Sequence, residues 1–436
     1  MTTPASLAAT GNPAEVPREI EELVPVAGRR NSPAWQNWLG ALAALGAVYL
    51  FVAAINLMGH GLKVVAGVAE AKAVMDSVFR LAENPLAGLS VGILMTSLVQ
   101  SSSFTTTFTV GLVATGQFNL ATAIPVIMGA NIGTSVTNIL VSLAHLRQRK
   151  EFERSLGGAI VHDLFNLLSV MLLLPLEWAF GIVSRPAGAF AKWLGGAAFF
   201  TSDPKQYNVV KTMVKPLHDG MDWLLGSLFG LDQVPRGLVT AGVAIVLLFI
   251  ALFFLVKVLR GLLKDRLAGL FSKTLFRHPA ISFVVGLFTT AAVQSSSVTT
   301  SLVVPLVGAG VLKIKQIFPY TLGANIGTTV TALIGGLAIA ATAANEGGVV
   351  QQAAALGLAV AFGHLLFNIY GTVVFWPLKW VPISLAKGYA KLASKRRILA
   401  AAYIVVIFFV LPILAIFLVN SQGFMSIITG SPAAAP

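Results

Sequence analysis

Gln100, Ser101, Ser102 and Ser103 open a run, "VQSSSFTTTFTVG", that packs one amide, three serines and four threonines into thirteen positions, and Gln294, Ser295, Ser296 and Ser297 open "VQSSSVTTSLVVP", with one amide, four serines and two threonines. A surface built from hydroxyls, side-chain amides and backbone N–H groups offers many donors without a fixed cation. That suits an oxyanion, the more so if half-helix N-termini add positive potential. Hydroxyl and carbonyl oxygens in the same region suit Na+. The bland reading of one such Ser or Thr is packing between helices; two matched segments favour a ligand surface. "GANIGTSVT" from Gly129 and "GANIGTTVT" from Gly323 read as loops that turn at glycine, with oxygens supplied to a ligand by Asn131, Asn325 and their threonines. Asp163 in "GGAIVHDLFNLLSVMLLLPL" is read as the one carboxylate inside an apolar segment, with Asn166 one turn on along the same face. It could coordinate a cation, carry a proton, or only bond a neighbouring Asn or His. His162 and His364 read as structural hydrogen-bonders, because no second ligand stands at metal-binding spacing. No nucleophile is paired with a base, so an enzyme is not expected.

These residues sit in a chain of 436 residues that is 56% hydrophobic and 11% charged, with a mean hydropathy of +0.82. That composition excludes an ordinary soluble domain. Apolar runs at Leu39 to Ile55, about Leu156 to Pro175, Leu238 to Val256 and Ile398 to Val419 are long enough to cross a bilayer and lack a period of two, so an all-α polytopic membrane protein is expected, not a barrel. Polar residues there must face protein or a wet cavity, and glycines or prolines such as Gly92, Gly111, Gly286 and Pro305 would break the helices that carry them. The formal charge of +13 comes from basic clusters at helix ends (Arg147 to Arg154, Lys257 to Arg277 and Lys387 to Arg397), which argues for cytoplasmic loops and against nucleic acid. The absence of cysteine excludes disulfides and thiolate sites. Residues 1–35 read as a disordered cytoplasmic tail without a signal peptide.

The chain contains itself twice. "NPLAGLSVGILMTSLVQSSSFTTTFT" from Asn84 aligns without a gap on "HPAISFVVGLFTTAAVQSSSVTTSLV" from His278, at an offset of 194 that also joins the two GANIGT blocks. "HDLFNLLSVMLLLPLE" from His162 meets "HLLFNIYGTVVFWPLK" from His364 eight residues later in register, at 202, with Leu365 in the place of Asp163. Counting spans from the basic clusters puts the start of the first copy outside and of the second inside. The expectation is two inverted-topology repeats, 36–180 and 238–380, with re-entrant hairpins and discontinuous helices around a midplane site. An extracytoplasmic linker (181–237) joins them, and a basic segment with a final span (381–436) follows.

Paired QSSS and GANIGT blocks with "VHDLFN…LLPLE" closing the first half resemble the type II sodium/phosphate cotransporters and their bacterial relatives. The likeness covers about Pro85 to Glu177 and Pro279 to Lys379. It implies Na+-driven uptake of inorganic phosphate by alternating access, with a possible homodimer in a plasma membrane, here a bacterial inner membrane given the compact loops. No cofactor is implied beyond Na+ as coupling ion. Phosphate would be held by Gln100 to Ser103 and Gln294 to Ser297, and Na+ by Asp163, Asn166, Thr328 and Thr331, with Asn131 and Asn325 of the same blocks. The aspartate at position 163 implies electrogenic transport. Vertebrate members have a long disulfide-bonded, glycosylated linker that this chain lacks, and a carboxylate and glutamine where this chain has His145 and Gln148. Another oxyanion, H+ coupling, and a passive channel or scaffold are the competing readings.

Overall fold

The computed structural model describes residues 34–80, 82–195, 209–267, 276, 278–343 and 348–419. Among these there is no strand, and seven helical segments are long and apolar enough to cross a membrane. Most of the expected 1–35 tail and the final polar residues lie outside this range. Helix α1 (Ala34–Ala66) carries the first span, Leu45–Ala66, displaced toward the C-terminus from the run read in the sequence. After α2 (Ala69–Arg80), the first repeat comprises α3 (Pro85–Val99), α4 (Ser102–Ala114), α5 (Leu120–Gly133), α6 (Val136–Ser142) and α7 (Arg149–Phe180). The linker carries α8 (Ser184–Gly195) and α9 (Val209–Asp222), and α10 (Gln233–Leu267) leads into the second repeat. There α11 (Pro279–Val293) and α12 (Ser296–Gly308) precede α13 (Ile314–Ala343) and α14 (Gly348–Phe375). The chain continues through α15 (Trp380–Lys395) to a last span over Ile398–Val419, which contains a π-helical turn at Val406–Val410.

Glycine decides how the repeats pack. In the first, α3 crosses α5 so closely that a Cβ on Gly92 would meet the Val126 carbonyl oxygen at 2.0 Å, and one on Gly129 would meet that of Leu89 at 2.0 Å. The second repeats this with α11 and α13, where Gly286 faces the Tyr320 oxygen at 2.1 Å and Gly323 that of Phe283 at 2.0 Å. Two readings from sequence are therefore corrected. The GANIGT blocks are helix, not loops: Gly129 to Gly133 close α5, and Gly323 to Thr331 lie within α13. Gly92, Gly111, Gly286 and Pro305 lie within helices and break none. Backbone contact excludes a side chain at the crossing glycines while leaving the helical hydrogen bonds intact.

The central helix is α7, whose buried face includes Phe152, Leu156, Ile160, Phe165 and Val170 and joins one apolar core with α12, α13, α15 and the last span. A second core is shared by α1, α4, α10, α13 and α14. Apolar residues such as Met171, Trp178 and Ile398 are exposed on the candidate spans, as residues that meet lipid would be. Glu177 is a second buried carboxylate on α7, so Asp163 is not alone there. It sits at the helix end and accepts from the backbone N–H of Val183 at 2.6 Å and of Ser184 at 3.2 Å, which turns the chain into α8. The linker docks on α1 through His60, which stacks on His218 at 4.7 Å and bonds Asp222 at 2.8 Å. Burial, and the adjoining His60, hold the His218 imidazole below its ordinary pKa, which favours the neutral ring in that stack.

Gly286→Ala is expected to cost about 1–3 kcal/mol by overpacking against backbone that cannot move aside. Thermal unfolding of the purified protein in detergent measures this. Gly242→Ala, at a helical position with nothing within 4 Å, serves as the comparison and should leave the midpoint unchanged or raised.

Candidate functional site

The hydroxyl-rich runs begin at two chain breaks of the same construction. Helix α3 ends in Gln100 with φ 58° and ψ 27°, and α11 ends in Gln294 with φ 58° and ψ 26°. These are the non-glycine residues of positive φ among those described. A left-handed glutamine is strained, and such strain persists only where the surroundings over-determine it. Here they do. Each backbone N–H caps its own helix, Gln100 to the Thr96 carbonyl at 2.8 Å and Gln294 to that of Thr290 at 2.7 Å. Each side-chain amide donates back to its helix, Gln100 to the Ser97 carbonyl and Gln294 to that of Ala291. Each amide oxygen then accepts from the threonine that ends the GANIGT block thirty-seven residues on, Thr137 to Gln100 at 2.8 Å and Thr331 to Gln294 at 2.6 Å.

The next residue restarts the chain. Ser101 and Ser295 are extended and cap α4 and α12, accepting from Phe104 N–H at 3.2 Å and Val298 N–H at 3.4 Å. The two arms of each unit are tied by a threonine pair, Thr96 to Thr105 at 2.8 Å and Thr290 to Thr299 at 2.7 Å. Ser102 and Ser296, first residues of α4 and α12, are 6% and 2% exposed, and among the described residues their hydroxyls make no hydrogen bond. The two units meet: Ser103 Oγ donates to the Gln294 carbonyl at 3.1 Å, and Ser297 Oγ approaches the Thr134 carbonyl at 3.4 Å. All eight expected anion-site residues thus lie at the two breaks. They are not equivalent, for Gln294 is 3% exposed whereas Gln100 lies at the protein surface.

Beside the breaks runs a buried network that crosses between repeats. Asn325 of the second GANIGT block accepts from His162 Nε2 at 2.6 Å and donates to Asn166 Oδ1 at 2.7 Å, both on α7 of the first repeat. Asn131 of the first block meets His364 at 3.4 Å and Asn368 at 3.4 Å on α14 of the second. Asn166 also donates to the Asn131 carbonyl at 2.9 Å, which closes the two halves on each other. Asn138 extends the chain, donating to His162 Nδ1 at 3.1 Å and accepting from Thr300 at 3.0 Å. With these amide orientations His162 is neutral and protonated on Nε2. The histidines hydrogen-bond inside the protein, and no group of three His, Asp or Glu stands at metal-binding distance among the described residues.

Asp163 departs from its expected company. It is fully buried, but its Oδ2 accepts from the Tyr403 hydroxyl of the last span, not from Asn166, which faces the asparagine network. Its Oδ1 has no partner, and Ser135, at the α5–α6 junction, stands beside the carboxylate. Of the other expected Na+ ligands, Thr328 keeps a buried hydroxyl without a partner, whereas that of Thr331 is committed to Gln294. Sequence reading missed Tyr403, Asn138 and Asn368. Only Asn368 left a signal, since it matches Asn166 when the two HxLFN segments are superposed.

A multi-span helical protein that brings two strained, hydroxyl-lined breaks together over a buried amide network has the design of a membrane transporter for a small polar solute. Residues 50–180 and 247–375 match the Na+/Pi-cotransporter family, and the chain belongs to it. It is 33% identical over 451 aligned positions to the sodium-dependent phosphate transport protein 2A of Rattus norvegicus, covering 89% of this chain and 69% of the rat protein. It is 30% identical to the sodium-dependent phosphate transport protein 2B of Homo sapiens over 85% of this chain and 64% of the human one. These relatives are transporters, not enzymes. No solved structure matches the chain.

The threonine clamps differ in cost. Thr331→Val removes the donor to a buried amide oxygen and should destabilise by about 1–3 kcal/mol. Thr137→Val, at the exposed Gln100, leaves an oxygen that water can satisfy and should cost well under half as much. Unfolding midpoints of the two variants in detergent give the comparison.

Proposed function

We propose that this protein is a symporter that couples inward Na+ movement to uptake of inorganic phosphate by alternating access. The observation that carries this reading is the meeting of the two breaks at the Ser103–Gln294 contact, with the hydroxyls of Ser102 and Ser296 at the starts of α4 and α12 left without a partner among the described residues. Phosphate accepts at every oxygen, so free hydroxyls and the unbonded N–H groups at the first turns of α4 and α12 are complementary to it. The glutamines act by holding the breaks open. The relatives' names, which specify sodium-dependent phosphate transport, support both solutes.

The fold reading that accompanies this is a pair of inverted-topology repeats, with α3–α4 and α11–α12 as re-entrant hairpins entering from opposite sides and the N-terminus in the cytoplasm. It is supported by the gapless sequence repeat, by the odd number of spans between the two hairpins and by the basic clusters. Exposure of Gln100 against burial of Gln294 is the asymmetry expected of a transporter open to one side. The short linker without cysteine supports a bacterial inner-membrane protein, and a homodimer is compatible with the apolar exterior.

For Na+, Asp163 Oδ1 and Thr328 Oγ1 are oxygens without hydrogen-bond partners, and Asn131, Asn166, Asn325 and Thr331 line the adjoining network. Asp163, unlike Glu177, whose oxygens accept from the Val183 and Ser184 N–H groups, keeps one carboxylate oxygen uncommitted and offers a charge that one Na+ can neutralise. The second repeat has Leu365 at the matching position, so the two halves offer one carboxylate at this site, and an aspartate at 163 is what the family resemblance associates with electrogenic transport.

Labelled phosphate uptake into proteoliposomes should require an inward Na+ gradient and persist when the pH gradient is collapsed; uptake driven by H+ alone would overturn the coupling. Asp163→Asn is expected to lose phosphate-evoked current, and an unchanged current would remove Asp163 from the Na+ site. Ser102→Ala combined with Ser296→Ala should abolish saturable uptake at an unchanged unfolding midpoint, whereas wild-type affinity would reject the paired breaks as the phosphate site.

A further inference from the structure

Away from the paired breaks, a cleft of about 500 Å3 opens where α11, α13 and α15 start. Lys315 from the first turn of α13, Lys379 from the turn after α14, and Lys387 from α15 converge on it, with Trp380 and Ser384 beside them. All three lysines are exposed, and none has an ion-pair or hydrogen-bond partner among the described residues. Among the described residues no acidic side chain lines the cleft. Three ammonium groups around one concavity repel one another, and the arrangement is complementary to an anion.

Position and apolar surface narrow the class of anion. Lys315 stands at the start of the Ile314–Ala340 span, and Lys379 follows the span that ends at Phe375, so the cleft lies at the edge of the hydrocarbon layer. Trp380 is 66% exposed there, as an interfacial aromatic would be. Helix α15 buries Pro382, Ile383, Ala386, Ala390 and Ala393 against the protein while presenting Lys387 outward, an orientation suited to the headgroup level. From Pro279, on the cleft wall, α11 runs into the bilayer with Ile281, Val284 and Phe288 exposed on one face at helical spacing. A phosphate bound among the lysines would therefore have an apolar track leading from it.

We infer that this cleft binds the headgroup of an anionic glycerophospholipid, whose phosphate engages Lys315, Lys379 and Lys387 and whose acyl chain lies along Ile281, Val284 and Phe288. Free inorganic phosphate shares the headgroup chemistry but has no use for that track. The wall of the cleft is firm: Gln316, on α13, accepts at its backbone carbonyl from Ser282 Oγ of α11 at 2.9 Å, and its side chain bonds the Lys313 N–H at 2.9 Å. Since α11 and α13 also carry Gln294 and Thr331, a lipid seated there braces the base of the second break.

The test uses the full chain, delipidated in a neutral detergent and presented with equal amounts of phosphatidylglycerol and phosphatidylcholine, with retained lipid counted by native mass spectrometry. The wild type should retain phosphatidylglycerol over phosphatidylcholine by about tenfold or more, from three lysines at an anionic headgroup. A Lys315→Gln, Lys379→Gln, Lys387→Gln variant should bring that ratio close to one. A charge-matched Lys72→Gln, Lys192→Gln, Lys215→Gln variant should keep it. An unchanged ratio in the first variant, or an equal loss in the second, overturns the site. Displacement of phosphatidylglycerol by millimolar inorganic phosphate overturns the lipid assignment in favour of a free-anion cleft. Neither readout depends on transport.

Discussion

In a core surrounded by hydrocarbon, a polar group finds its partner inside the protein or loses several kcal/mol. The asparagines of the two GANIGT blocks meet that constraint by reaching across to the opposite repeat. Asn325 takes its partners, His162 and Asn166, from the first half, and Asn131 takes His364 and Asn368 from the second. Asn131 also donates to the Ile127 carbonyl of its own helix at 2.9 Å, so it is the amide oxygen that turns to the opposite repeat, whereas both side-chain atoms of Asn325 do so. These bonds tie the two halves to each other beside the Ser103–Gln294 contact of the hydroxyl-rich breaks.

The same economy explains the left-handed glutamines. A helix interrupted in the membrane exposes carbonyls at one end and N–H groups at the other. Gln100 and Gln294 deal with the first end, through a capping N–H and a side chain that folds back on a carbonyl. Ser101 and Ser295 cap the other. What the caps leave over at each restart is the hydroxyl of Ser102 or Ser296 at the first turn of the next helix. Tyr403 adds a constraint of another kind. By bonding Asp163 from the last span, it links the buried carboxylate to an element outside both repeats.

Much of this was legible beforehand. Composition forced a helical membrane protein because long apolar runs without a period of two have one stable solution in lipid. The duplication was visible because the two breaks need the same residues for the same reasons, glycine where helices touch and Gln-Ser where one ends and another begins. The error over GANIGT came from reading glycine as a turn former when its role was to let backbones approach: Gly129 and Gly323 lie in helices, 2.0 Å from a carbonyl oxygen if given a Cβ. Asp163 and Asn166 share a face on a helical wheel, yet a wheel does not say which neighbour each side chain reaches, and theirs are different.

The sequence by itself therefore determined the class of protein, the presence of two matched polar breaks and the residue types at them, since these follow from local chemistry and from the demands of the bilayer. Only the tertiary structure decided that the asparagines pair across the repeats, that Gln100 lies at the surface while Gln294 is buried, and that Tyr403 rather than Asn166 holds Asp163. Those outcomes depend on contacts between segments more than 150 residues apart in several cases, which no local pattern encodes. Two identical motifs can occupy different environments because the energy of a buried hydrogen bond depends on what the rest of the fold places beside it.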